Sequence, residues 1–177
     1  MLKQVLEIIE LLDSAKITGE ETIELLEKRG IDSEHIHIKT IKGDEGSTDF
    51  IKIKIPGIKG KTVGGDAPTL GVIGRLGGIG ARPEIVGLVS DADGAVTALS
   101  VALKLADMRK KGDILMGDVI VATHICPDAP TKPHEPVPFM GSPVDIGIMN
   151  QEEIDPEMDA ILSIDTTKGN RIIKWKG

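Results

Sequence analysis

Apolar residues in the first thirty positions recur at helical spacing, with Leu2, Val5, Leu6, Ile9 and Leu12 on one face. A second helix is signalled by Thr18 and Glu21, three residues apart as in a capping box, by Ile23, Leu25 and Leu26, and by Gly30 placed to end it. Residues 1–30 therefore read as a helical hairpin. Between Ile36 and Ile55 the period falls to two: Ile51, Ile53 and Ile55 face one way, Lys52 and Lys54 the other, and KGDEGST supplies a turn. Residues 31–57 thus predict an antiparallel β-hairpin with one wet face. From residue 58 onward short apolar runs, TLGVIG, EIVGLVS and GDVIVAT, are separated by glycine-rich turns, the pattern of buried strands in an α/β layer fold, and ILSID later reads as one more apolar strand. One long helix interrupts them, from about Gly94 to Lys110. Its polar positions Thr97, Ser100, Lys104 and Asp107 form a single narrow stripe, so it must be covered on most sides and stands at the centre of the fold. The expected organisation is one domain, 1–177, whose α/β core is residues 58–177.

Composition narrows the function classes. A chain of 177 residues with 40% hydrophobic content supports one core. Its 28 acidic and 21 basic residues give a net charge of −7, so no basic face exists for phosphate backbones and nucleic acid is not expected as a partner. The single cysteine, Cys126, excludes an intramolecular disulfide, and no charged segment followed by an apolar one opens the chain, which predicts a cytoplasmic protein. No apolar run approaches the roughly 20 residues of a membrane span. Tyrosine is absent and there are only two Phe and one Trp, so the core must be aliphatic.

Three stretches carry candidate chemistry. In VSDADGA a strand runs into Asp91 and Asp93 just before the long helix. One of the pair suits a helix cap, and the other suits a metal ligand held at a strand end. In GRLGGIGARPE, glycine N–H groups at Gly77 and Gly78 together with Arg75 and Arg82 could cradle a phosphate or carboxylate, or the stretch is a plain turn. In VIVATHICPDAPTKPHEP a strand ends at His124, with Cys126 and Asp128 close behind and His134 and Glu135 further along a loop that holds six of the ten prolines. With ILSID ending in Asp165, three strands end in ligand-capable residues, Asp91, His124 and Asp165. If neighbours, these converge on one sheet edge and could hold one divalent metal such as zinc, with Asp128 or Glu135 as the nearest base and Arg75 holding a substrate carboxylate.

The runs STDFIKIKIPG, GDAPTLGVIGRLGGIGARPE, GLVSDADGAVTALSVALKLADM, GDVIVATHICPDAPTKPHEPVPFMGSPVD and DPEMDAILSIDTTKGNR resemble an uncharacterised family of bacterial and archaeal proteins, domain of unknown function 1177. The resemblance spans nearly the whole chain. Members of that family continue beyond the equivalent of Lys176, which implies a short relative or the N-terminal part of a longer architecture. A more distant likeness is to the dinuclear zinc aminopeptidases, with an α/β, phosphorylase/hydrolase-like core in which helices sandwich a mixed sheet. Asp91 with Gly94 is similar to their metal-bridging Asp and its glycine, and Asp165 to a later acidic ligand. Arg75, Leu76 and Gly77 stand where His-x-Asp is expected, and Thr123 and His124 where paired glutamates are expected. The likeness therefore implies a degenerate site, with at most one metal on Asp91, His124 and Asp165. The leading expectation is a metal-dependent hydrolase-like protein acting on a small molecule. Its rivals are a non-catalytic binder of a small molecule or anion, and a homo-oligomeric assembly subunit whose long helix and proline loop are contact surfaces.

Overall fold

The structure is a computed structural model that describes residues 1–14, 17–75, 80–81, 85–86, 88, 92–127, 129–133, 135 and 139–165. Helices α1 (Leu2–Leu12) and α2 (Gly19–Lys28) lead into an antiparallel hairpin of β1 (Ile36–Gly43) and β2 (Gly46–Ile55). Then come β3 (Leu70–Gly74), the two-residue strands β4 (Gly80–Ala81) and β5 (Ile85–Val86), helix α3 (Asp93–Lys110) and β6 (Val119–Ile125). Short strands β7 (Thr131–Lys132) and β8 (Phe139–Met140), helix α4 (Ile146–Glu153) and β9 (Ala160–Ile164) follow. The start of α2 is fixed by the expected capping box: Thr18 Oγ1 accepts from the Glu21 N–H at 3.3 Å, and the Glu21 carboxylate accepts from the Thr18 N–H at 3.2 Å. Gly30, at φ 85°, follows its end.

The main sheet has the order β1-β2-β6-β3-β9. β1, β2 and β6 are antiparallel in succession, whereas β6, β3 and β9 run parallel, so the fold is α/β with a mixed five-stranded sheet. Strand alternation sends Ile51, Ile53, Ile55, Val72 and Val121 to one face, where they form the main core with Ala98, Leu99, Ala102 and Leu103 of α3. α1 packs on α3 and adds Ile8 and Leu12 to the same core. Even the polar stripe of α3 is used: Ser100 is fully buried, and Asp107 accepts from Gln4 Nε2 at 2.7 Å and from Arg29 Nη1 at 2.8 Å. Among the described residues no helix is long and apolar enough to cross a membrane.

The second face departs from expectation. Lys52 and Lys54 are half-buried rather than wet, because the segment after α4 lies over them and supplies matching carboxylates. Lys52 pairs with Asp155 at 3.1 Å and Lys54 with Glu157 at 2.7 Å. Closer to α4, Phe50, Val144 and Met149 form a small apolar cluster that holds the helix on the sheet. Two further expectations change. Of EIVGLVS only Ile85, Val86 and Leu88 are described, and among the described residues Ile85–Val86 pairs with Gly80–Ala81 in a separate two-stranded sheet, outside the main one. The cap of α3 is Ala92, with no side-chain cap bond, while Asp93 lies in the first turn, where a carboxylate favours the positive end of the helix dipole.

One close approach positions the site. A Cβ on Gly74 would stand 2.1 Å from the Gly94 carbonyl oxygen and 2.7 Å from Ala98 Cβ, and a Cβ on Gly94 would stand 1.9 Å from the Arg75 carbonyl oxygen. Two glycines thus let the first turn of α3 touch the end of β3, which fixes where Arg75 leaves the sheet. Gly74→Ala or Gly94→Ala should cost about 1–3 kcal/mol by forced separation of helix and strand, read as a lower urea midpoint at unchanged slope.

Candidate functional site

Parallel strands with a common register bring their ends into line. Thr123 of β6, Gly74 of β3 and Ile164 of β9 are paired partners, and the Arg75 N–H continues the ladder by donating to the Ile164 carbonyl at 2.7 Å. The next residues, His124, Arg75 and Asp165, therefore stand side by side at the carboxyl edge, where ligands bind in open α/β sheets. His124 and Asp165 are two strands apart, about 10 Å between backbones at the usual inter-strand spacing, with Arg75 between them.

Of these, His124 and Arg75 enter a buried charge cluster on the α4 face. His124 Nδ1 lies 2.6 Å from Glu153 Oε1, with side-chain exposures of 3% and 0%. Glu153 Oε2 lies 2.9 Å from Arg75 Nε, and Arg75 Nη2 donates to Asn150 Oδ1. The Nε contact is not aligned as a hydrogen bond, so Oε2 is held by charge. Phe50, the cross-strand partner of His124, packs on the imidazole with ring centroids 5.6 Å apart. Asn150 and Glu153 are three residues apart on one face of α4, so a single helix face meets both strand ends. Asp145 caps that helix by accepting from the Gly147 N–H at 2.7 Å.

The chemistry follows from the charges. Guanidinium is always cationic, so the Glu153 carboxylate is held by charge on the Arg75 side while its other oxygen is in hydrogen-bond contact with the imidazole. Arginine and glutamate cancel, which offsets the cost of burying the carboxylate. An imidazole held in one orientation by a carboxylate suits metal ligation or proton transfer.

The other expected site residues fall as follows. Glu135 is exposed between β7 and β8, and Asp165 is exposed. Cys126 is buried, with Sγ 3.7 Å from Thr48 Oγ1. Asp91, Asp128, His134, Gly77, Gly78 and Arg82 lie outside the described residues. Among the described residues no group of three or more His, Cys, Asp or Glu could hold a metal ion. Glu153 and Asn150 escaped sequence reasoning. The available signal was Asp145 ahead of Ile146, Ile148 and Met149, an N-cap before a short apolar stripe that ends in paired glutamates.

Residues 39–177 match the model of a family described as "Protein of unknown function (DUF1177)", which leaves α1, α2 and the start of β1 outside the matched segment. No curated protein matches the chain.

Two outcomes test the cluster and its support. Arg75→Ala should destabilise by about 3–5 kcal/mol, because it strands a buried carboxylate. Adding Glu153→Gln should recover part of that loss, a coupling that urea unfolding of the two single variants and the double variant measures directly. The second outcome concerns pH. Burial alone would raise the Asp155 pKa, but the Glu157 N–H, the bond from Lys52 and the fields of Lys52 and Lys54 outweigh it and hold this carboxyl below its ordinary value. A depressed pKa contributes stability above the unfolded value of about 3.9 and loses it as pH falls through the folded one. Thermal unfolding should therefore move to lower temperature below about pH 4, and Asp155→Asn should flatten part of that slope. Asp107, Asp118 and Asp159 are shifted the same way and add to that slope.

Proposed function

We propose, for a chain that belongs to the DUF1177 family, a hydrolase-like activity on a small molecule, centred on His124 and assisted by one divalent metal such as zinc. The observation that carries this reading is the 2.6 Å contact between His124 Nδ1 and the buried Glu153. Metal-ligating histidines characteristically donate their second ring N–H to a carboxylate, which fixes the ring and raises the basicity of the ligating nitrogen. His124 with Glu153 fits that arrangement. Asp165 at the end of β9 and Asp91 before α3 would complete the ligand set, and Asp91 is required because the described residues alone offer no group of three. When bound, the metal would polarise a carbonyl or activate water.

The chain's own residues then take distinct parts. Glu153 orients His124, and Arg75 neutralises Glu153 instead of gripping substrate. Gly77, Gly78 and Arg82 are the groups proposed to hold an anionic end of the substrate, with Asp128 or Glu135 as base. The rival reading, a non-catalytic anion binder, loses its first cation because Arg75 is engaged by Glu153 and Asn150.

Elemental analysis of protein prepared without chelator and titrated with zinc should give close to one metal per chain. His124→Ala should abolish it, and Glu153→Gln should weaken it by about 10–100-fold while the fold persists. A wild-type chain that takes up no divalent metal would sink the proposal, and stabilisation by phosphate that chelator does not change would favour the rival.

A further inference from the structure

We infer that two copies of this chain join through the open edge of the sheet, β9 pairing antiparallel with the second copy's β9 about a two-fold axis at Leu162. β9 is the last of the five strands, and among the described residues only β3 pairs with it. Its residues Ala160 to Ser163 are all exposed, Ile161 to 43% and Leu162 to 58%. Neighbouring side chains in a strand point to opposite faces, so apolar surface stands bare on both sides of this edge. Edge strands are ordinarily guarded by charge or proline. Ala-Ile-Leu-Ser-Ile contains neither.

Backbone geometry selects the register. The Ile164 carbonyl accepts from Arg75 and so faces β3. By alternation the backbone groups of Leu162 also face β3, while those of Ile161 and Ser163 face outward. Placing Ile161 opposite the second copy's Ser163 lets each such pair exchange both of its N–H and C=O bonds, about four bonds across the axis. Leu162 then meets its own counterpart, and all of Ala160–Ile164 is matched. The contact is isologous and closes on itself.

Charge at the two ends fits a second copy. The same register sets Asp159 opposite the second copy's Asp165, a like-charge pair that would oppose association. Lys61 stands at that point, with Nζ 2.7 Å from Asp159 Oδ2 and 2.8 Å from the Glu157 carbonyl oxygen. Each end of the paired strands thus holds a cation between two carboxylates. The second copy also contributes its Lys61 to the rim of the site at the carboxyl edge. None of this depends on metal binding at His124.

Light scattering of the full chain over a dilution series should give twice the mass of one chain at high concentration. Hydrogen exchange should show the Ile161 and Ser163 amides protected there and released on dilution. Ser163→Pro removes an outward N–H without touching the β3 ladder, and should yield a monomer with unchanged far-UV circular dichroism. Should that variant misfold, Ile161→Lys, at a side chain already exposed, should give the same monomer by adding two cations to the interface. A wild-type chain that is monomeric at every concentration would overturn the inference. So would a dimer that survives the substitutions, or one whose Ile161 and Ser163 amides exchange freely.

Discussion

A carboxylate with no solvent exposure must find its compensation within the fold, and Glu153 finds it in Arg75 and His124. That requirement ties three elements together. Glu153 ends α4, Arg75 leaves β3 and His124 lies near the end of β6, so the pairing locks the helix over the carboxyl edge of two strands. Arg75 in turn is aimed from a strand end that touches α3 through Gly74 and Gly94, so the glycine contact on one face of the sheet governs a charge cluster on the other.

Much of the scaffold was legible because local period and capping decide it. The capping box at Thr18, the β1–β2 alternation, the apolar length of α3 and the strand ILSID all lie where their residues imply. What failed was long-range. Alternation gave Lys52 and Lys54 the correct side but could not reveal that Asp155 and Glu157 return over them. EIVGLVS has the texture of a strand, yet its described pair Ile85–Val86 is matched with Gly80–Ala81 and not with the main sheet.

The site divides in the same way. His124 was recognisable as a polar residue ending an apolar strand, but its partner is 29 positions away on a short helix with no local mark of their meeting. Arg75 read as an anion grip, and among the described residues it meets the protein's own Glu153 carboxylate. Residue type announced the chemistry and left the counterpart open. All four members of the cluster, Arg75, His124, Asn150 and Glu153, fall within the family-matched segment.

α1 and α2 fall outside it, yet Ile8, Leu12, Ile17 and Leu26 belong to the main core, and Arg29 bridges Glu7 and Asp107 across three helices. The family-matched stretch is therefore smaller than the stretch whose residues share one core. A chain trimmed to residues 39–177 would keep every member of the charge cluster and lose the apolar cover of α3, exposing at the centre of the molecule a surface built never to meet water.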